Sequence, residues 1–187
     1  VDYYTDAELA VNIKVLDEFR RTEREGYITS YGEVLVSALP TIFKKIKLYT
    51  HENLGWGHIH LPEQQMHTSG FWLSLADDLT EGFTNEQLQD GLIGLANLFG
   101  NIAPIFLMCN PGDIGVVSQV RSPFTGMPSI YFYDKYPGGI GLSEKMYGVY
   151  DLLVSSALEV VSSCKCESGC PSCVGPMACS VRVTPVA

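Results

Sequence analysis

The sequence contains no G-x-x-x-x-G-K-S/T phosphate loop, no G-x-S-x-G nucleophile elbow and no H-E-x-x-H metal pair. The first absence excludes a self-contained P-loop nucleotide motor, and the other two exclude common hydrolase plans. No nucleophile, base and orienting group can be read together, so no catalytic or cofactor-binding residues are expected. Positive charge is also scarce: 12 Lys and Arg face 21 Asp and Glu, a formal net charge of −9. A nucleic-acid grip concentrates Lys and Arg on one face, and this chain as a whole does not. Its short basic clusters, Arg20-Arg21…Arg24 and Lys44-Lys45…Lys47, read as solvated faces. No uninterrupted apolar run reaches the roughly 18–20 residues of a spanning helix, so no membrane partner is expected. Val1-Asp2-Tyr3-Tyr4 has neither the basic nor the apolar region of a signal peptide, and no initiator Met. The expectation is a piece of a longer, cytoplasmic protein.

Hydrophobic residues make up 46% and charged residues 18% of the chain. That is ample apolar material for a core, and a single domain over 1–187 is expected. The fold class reads as α+β: residues 1–75 mainly β, then 76–187 mixed, with two main helices and a few strands, closed by a cysteine loop. Alternation of polar and apolar residues places strands at Asn12–Leu16, Gly32–Ser37, Ile42–Tyr49, Gly55–Leu61 and Phe71–Leu75. Thr84 with Gln87 forms a capping box at the start of a helix over 84–101. Its polar stripe is Glu86, Asp90, Gly94, Asn97 and Asn101, and its apolar face is Leu88, Leu92, Leu95 and Phe99. The apolar run Ile105–Cys109 reads as a strand, Asn110-Pro-Gly-Asp113 as a turn, and Val116–Val120 and Ile130–Tyr133 as two further strands. A second helix spans 143–163. Before it, Pro137-Gly-Gly-Ile-Gly141 reads as a tight strand-to-helix turn, with an anion-binding loop as the alternative. Asp134 and Asp113 are candidate N-caps or partners for turn amides.

Six cysteines are present, and four crowd ten residues: Cys164, Cys166, Cys170 and Cys173, spaced C-x-C-x3-C-x2-C. Cys109 and Cys179 stand apart. A secreted disulfide framework spreads its cysteines along the chain, whereas a cluster points to metal. Four soft thiolates suit tetrahedral Zn²⁺, and Cys170-Pro-Ser-Cys173 is the common two-residue knuckle, with Gly169 placed to take a positive φ. One structural zinc at 164–173 would order a loop with little apolar material of its own. An iron–sulfur cluster takes the same four thiolates. A redox dithiol at Cys170 and Cys173 is the third reading, although a catalytic C-x-x-C normally opens a helix directly after a strand. His51, His58, His60 and His67 lie close in sequence, and His58 and His60 would share one strand face. Surface histidines are the simpler account.

The stretch Tyr133-Asp-Lys-Tyr-Pro-Gly-Gly-Ile-Gly-Leu142, followed by Ser163-Cys-Lys-Cys-Glu-Ser-Gly-Cys-Pro-Ser-Cys-Val-Gly-Pro176, resembles the C-terminal zinc-binding (MZB) domain of MrfA-type DEAD/DEAH-box DNA repair helicases. Tyr31-Gly-Glu-Val34, Leu61-Pro-Glu63 with Thr68, Trp72, and Cys109 with Asp113-Ile-Gly115 fit the same pattern, so the resemblance runs from about 27 to 176. It implies that Cys164, Cys166, Cys170 and Cys173 are the zinc ligands. It also implies a parent 3′–5′ helicase whose RecA-like motor domains bind ATP and which acts on single-stranded DNA. Those motor domains would be this domain's partners. Family chains tend to continue with another helix, whereas residues 177–187 here are short and not helical by pattern.

Overall fold

The computed structural model describes residues 3–167 and 169–175. The expected tail 177–187, with Cys179, lies outside the described residues. The element order is β1 Tyr3–Arg24, β2 Tyr27–Lys47, β3 Asn53–His58, β4 Gln64–Leu75, a short α1 Asp77–Thr80, α2 Asn85–Leu107, β5 Ile114–Gln119, β6 Ser129–Asp134 and α3 Leu142–Ser163. This is the expected α+β class, with four strands first and then the two long helices, separated by β5 and β6.

The strands form one antiparallel sheet in the order β1-β2-β4-β6-β5, with β3 beside the outer half of β2. Where the sequence pattern suggests separate short strands at 12–16, 32–37 and 42–49, the structure has two continuous strands in a long hairpin. Register shifts between Glu8 and Leu9, Val15 and Asp17, and Glu18 and Arg20 explain the difference. Each extra residue at a bulge resets the in–out alternation, so the period-2 signal breaks although pairing continues. The expected strand Gly55–Leu61 ends earlier, at His58.

The sheet has two apolar faces. One packs under the helices: Phe71, Leu73, Ile130 and Phe132 meet Leu92, Phe99 and Ile102 of α2 and Met146, Tyr150 and Leu153 of α3. Phe71 and Tyr150 pack in a tilted pair, 5.5 Å between ring centroids. Each such side chain contributes roughly 1.5–3 kcal/mol by leaving water. The other face is concave and gathers Ile13, Val15, Val34, Val36, Trp72, Val117, Tyr131 and Tyr133. The sheet curls far enough for Gln119 of β5 to reach Asn12 of β1 at 3.4 Å, and Phe124 covers Trp72 edge-on at 6.0 Å. β6 is buried along its whole length because both of its faces are covered.

One sequence expectation is overturned here: Ile105–Cys109 is not a strand. Helix α2 runs through Pro104 to Leu107, and Met108 ends it in the left-handed conformation. A proline inside a helix costs ~3 kcal/mol, but Ile102, Ala103, Pro104 and Leu107 are all buried, and that packing holds the last turn in place. The same helix is long and apolar enough, by length and composition, to cross a membrane. Counting uninterrupted apolar runs misses this, because Gly94, Asn97 and Asn101 punctuate the run. In the fold Leu92, Leu98, Phe99, Ile102 and Leu107 are buried in the core against the sheet and α3, while Ile105 is exposed.

The basic clusters are tied to acidic partners. Arg20 pairs with Glu144 at 3.0 Å and Arg24 with Asp151 at 2.9 Å, joining β1 to α3. Lys44 pairs with Glu8, and Lys47 with Glu52 at 3.7 Å. Such pairs stay partly exposed and contribute little to stability, but they neutralise much of the charge a nucleic-acid surface would need.

Candidate metal centre

Helix α3 carries the chain from the sheet to the cysteine loop. Its start is held by a buried carboxylate. The N-cap, Gly141, has no side chain to offer, and Asp134 at the end of β6 substitutes for it. Ile140 and Leu142 N–H donate to Asp134 Oδ2 at 2.7 and 3.1 Å, and Ser143 N–H donates to Oδ1 at 2.9 Å. The Ser143 hydroxyl lies 2.5 Å from the same oxygen. Asp134 is wholly buried, so its charge is met by amides and by the positive end of the helix. The loop between is pinned to β4: Gly138 N–H donates to the His67 carbonyl at 2.8 Å, and the Thr68 hydroxyl reaches the Asp134 and Tyr136 carbonyls, each at 2.8 Å. Gly138, Gly139 and Gly141 all have positive φ. A side chain at Gly139 would overlap Ser69. The anion-binding alternative therefore fails on a physical ground, because Asp134 already occupies the amides that would hold an anion.

At its far end α3 stops at Ser163 and delivers Cys164, whose N–H still bonds to the Val160 carbonyl at 3.1 Å. The loop then turns back. Gly169 adopts φ +87°, as the spacing predicts, and Cys173 and Gly175 N–H both donate to the Cys170 carbonyl, at 3.0 and 2.9 Å. Cys170 N–H points at the Cys173 sulfur at 3.3 Å. All four sulfurs lie within 4.8 Å of one another. Successive separations are 3.2 Å for Cys164–Cys166, 3.7 Å for Cys164–Cys170, 3.5 Å for Cys166–Cys173 and 3.4 Å for Cys170–Cys173. A regular tetrahedron of thiolates 2.3 Å from a zinc ion has edges of about 3.8 Å. None of the separations approaches a disulfide bond, and the four thiols are free.

The thiols of Cys166, Cys170 and Cys173 are unequal. The Cys170 N–H, and then hydrogen bonds from the neighbouring thiols, pull the Cys173 thiol down to about 6. The Cys166 thiol is pushed up to about 12, chiefly because it is bonded to the Cys164 sulfur, and Cys170 is raised through Cys173. The site's geometry fits a redox dithiol poorly. Cys173, the most acidic thiol, is only 3% exposed, and Cys170–Cys173 forms a turn and not the start of a helix, whereas an attacking thiolate needs access.

Among the described residues no other group of His, Cys, Asp and Glu could hold a metal. His58 ends β3, and His60 lies beyond it in irregular chain, so they do not share a strand face. His67 sits 3.7 Å from Glu33 and His51 3.5 Å from the Tyr4 hydroxyl. Sequence reasoning missed the face of α2 that carries the loop. Asn101 Nδ2 donates to the Pro171 carbonyl at 2.8 Å. Asn97 abuts Gly175, and Gly94 faces Val174. The polar stripe is legible in the sequence, but nothing in its spacing says what lies on it.

The fold and the sulfur cluster together define a four-cysteine metal-binding module clamped between two helices of an α+β domain. The family model of the MrfA Zn-binding domain (MZB) matches residues 95–174, from the middle of α2 to the end of the cysteine loop, and the chain belongs to this family. It is 47% identical over 177 residues to the ATP-dependent helicase YprA of Bacillus subtilis (strain 168), covering 94% of this chain and 23% of that protein. It is 35% identical over 81 residues to protein MJ1572.1 of Methanocaldococcus jannaschii, covering 42% of this chain and 72% of that one. Among solved structures, it superposes on the DUF1998 helicase MrfA bound to DNA with a TM-score of 0.76 at 44% identity, covering 98% of this chain and 24% of that one. On MrfA bound to DNA and AMPPNP the TM-score is 0.60 at 43% identity, covering 94% and 21%. The chain thus spans about a quarter of the length of these helicases.

Proposed function

We propose that this chain is the zinc-stabilised accessory domain of an ATP-dependent 3′–5′ DNA helicase acting in DNA repair in the cytoplasm. Cys164, Cys166, Cys170 and Cys173 hold one structural Zn²⁺. The observation that carries this reading is the set of four sulfurs within 4.8 Å of one another at the end of α3. That packing suits one ion; an iron–sulfur cube would hold its thiolates around a larger body. Zinc supplies cross-linking of the loop, and catalysis stays in the parent's motor domains, which are the domain's direct partners.

Single-stranded DNA reaches this domain through the parent. The likeness to MrfA solved with DNA supports that reading, as does the pairing of Arg20, Arg24, Lys44 and Lys47 with carboxylates, which leaves this piece a poor DNA grip by itself. Elemental analysis of the purified chain tests the metal. One zinc per chain, lost in Cys170→Ser, is the expected result. Iron with visible colour, or a metal-free reversible dithiol couple, would refute it.

A further inference from the structure

The later part of the polar stripe of α2, from Gly94 to Asn101, lies against the cysteine loop, while Glu86 and Asp90 are exposed. Gly94, Asn97 and Asn101 lie at helical spacings of three and four, so they share one face. Asn101 donates its amide to the carbonyl of Pro171, inside the Cys170–Cys173 knuckle, at 2.8 Å across 70 residues of sequence. One turn earlier, the Asn97 amide meets buried Gly175, and a Cβ at Gly94 would stand 3.3 Å from Val174 Cβ. The knuckle has no apolar body, so these contacts and the helix end at Cys164 are what orient it. We infer that Asn101 is a positioning residue of the zinc centre, and that Gly94 and Asn97 complete a platform on α2 that holds Cys170 and Cys173 in place for the metal.

The inference rests on the zinc reading above and adds a mechanism to it. A carbonyl held at Pro171 fixes the knuckle between its two cysteines, so the bond acts on how long the thiolates stay assembled and not on which atoms bind. Its loss accelerates zinc release while leaving the ligand set intact. Asn101 is solvent-exposed, which limits the effect to about three- to tenfold, the change a single neutral hydrogen bond supports. Asn101→Asp goes further, because it replaces the donor with a carboxylate facing a carbonyl and an anionic tetrathiolate centre.

The test is the rate of zinc release from the purified chain into excess chelator, followed with a colorimetric indicator. It compares wild type, Asn101→Asp, Asn101→Gln and Leu92→Ala, a core variant of the same helix. Melting temperatures are measured alongside. The expected result is one zinc in the wild type, release at least threefold faster in Asn101→Asp, and substantial recovery in Asn101→Gln, which keeps an amide donor. Leu92→Ala lowers the melting temperature more while changing release less. Unchanged release in Asn101→Asp, or a rise no larger than in Leu92→Ala, overturns the positioning role even if zinc is present. A wild type without zinc overturns the zinc reading itself.

Discussion

Replacing Asp134 with Asn should cost the domain about 3 kcal/mol of stability. The carboxylate is wholly buried and accepts from the N–H groups of Ile140, Leu142 and Ser143, and the Ser143 hydroxyl lies beside it. Leu142 and Ser143 carry orphan donors of the first turn of α3, whose own N-cap is Gly141 without a capping side chain, and Ile140 lies just ahead of it. Asn keeps one oxygen but turns an NH₂ group toward N–H donors, so one or two buried amides lose their acceptor. An unsatisfied buried group costs ~1–3 kcal/mol, and hydrogen bonds to a charge contribute about 1.5–3 kcal/mol each. Loss of the negative charge at the helix N-terminus adds up to ~2 kcal/mol. Partial repacking and entry of water reduce the sum, which leaves about 3 kcal/mol as the expected loss. For a domain of this size that corresponds to a fall in Tm of roughly 6–12 °C. The assay is urea unfolding of the zinc-loaded protein, with the midpoint shifted and the slope m unchanged. Asp134→Glu should also destabilise, because a longer arm cannot reach all three amides in the same pocket. A loss below ~1 kcal/mol in Asp134→Asn would mean that the carboxylate does not organise the helix start, and the amides of residues 140–143 would again become candidates for an anion site.

Four further expectations follow from the same structure. Cys170→Ser should release the zinc and loosen the cysteine loop while the sheet and helices stay folded, because the core of Phe71, Phe132, Tyr150 and Leu153 lies away from the loop. Metal analysis with amide exchange would check this, and full zinc retention would remove Cys170 from the ligand set. Gly139→Val should lower stability by at least ~1–3 kcal/mol through forced positive φ and overlap with Ser69; an unchanged melting temperature with a lost phosphate or nucleotide affinity would contradict it. Thr84→Ala should cost about 1 kcal/mol by removing the cap on Gln87 N–H, seen as a small shift of the urea midpoint. The isolated chain should hydrolyse no ATP and bind single-stranded DNA weakly, with binding lost as salt rises; tight, salt-resistant binding would show that the paired basic clusters are not the whole of its DNA chemistry.

The parts of this protein that the sequence by itself determined are those made by near neighbours. The clustering of Cys164, Cys166, Cys170 and Cys173 is legible because four thiols within ten residues come close to one point with little help from the rest of the fold. The Thr84–Gln87 capping box forms both of its hydrogen bonds as expected, since both partners lie within one helical turn. Glycine at 138, 139 and 141 announces positive φ, and all three adopt it. The tertiary structure decided everything that depends on a distant partner. The N–H groups of Ile140, Leu142 and Ser143 are filled because β6 delivers Asp134 to them. Pro104 stays helical because its surroundings bury it. The hairpin of β1 and β2 is continuous because bulges absorb the breaks in alternation. The stripe of α2 became the seat of the knuckle because α2 and α3 pack side by side on one sheet, which brings Asn101 to Pro171. Spacing encodes which residues share a face, but what is pressed against that face is settled only when helices and sheet pack together.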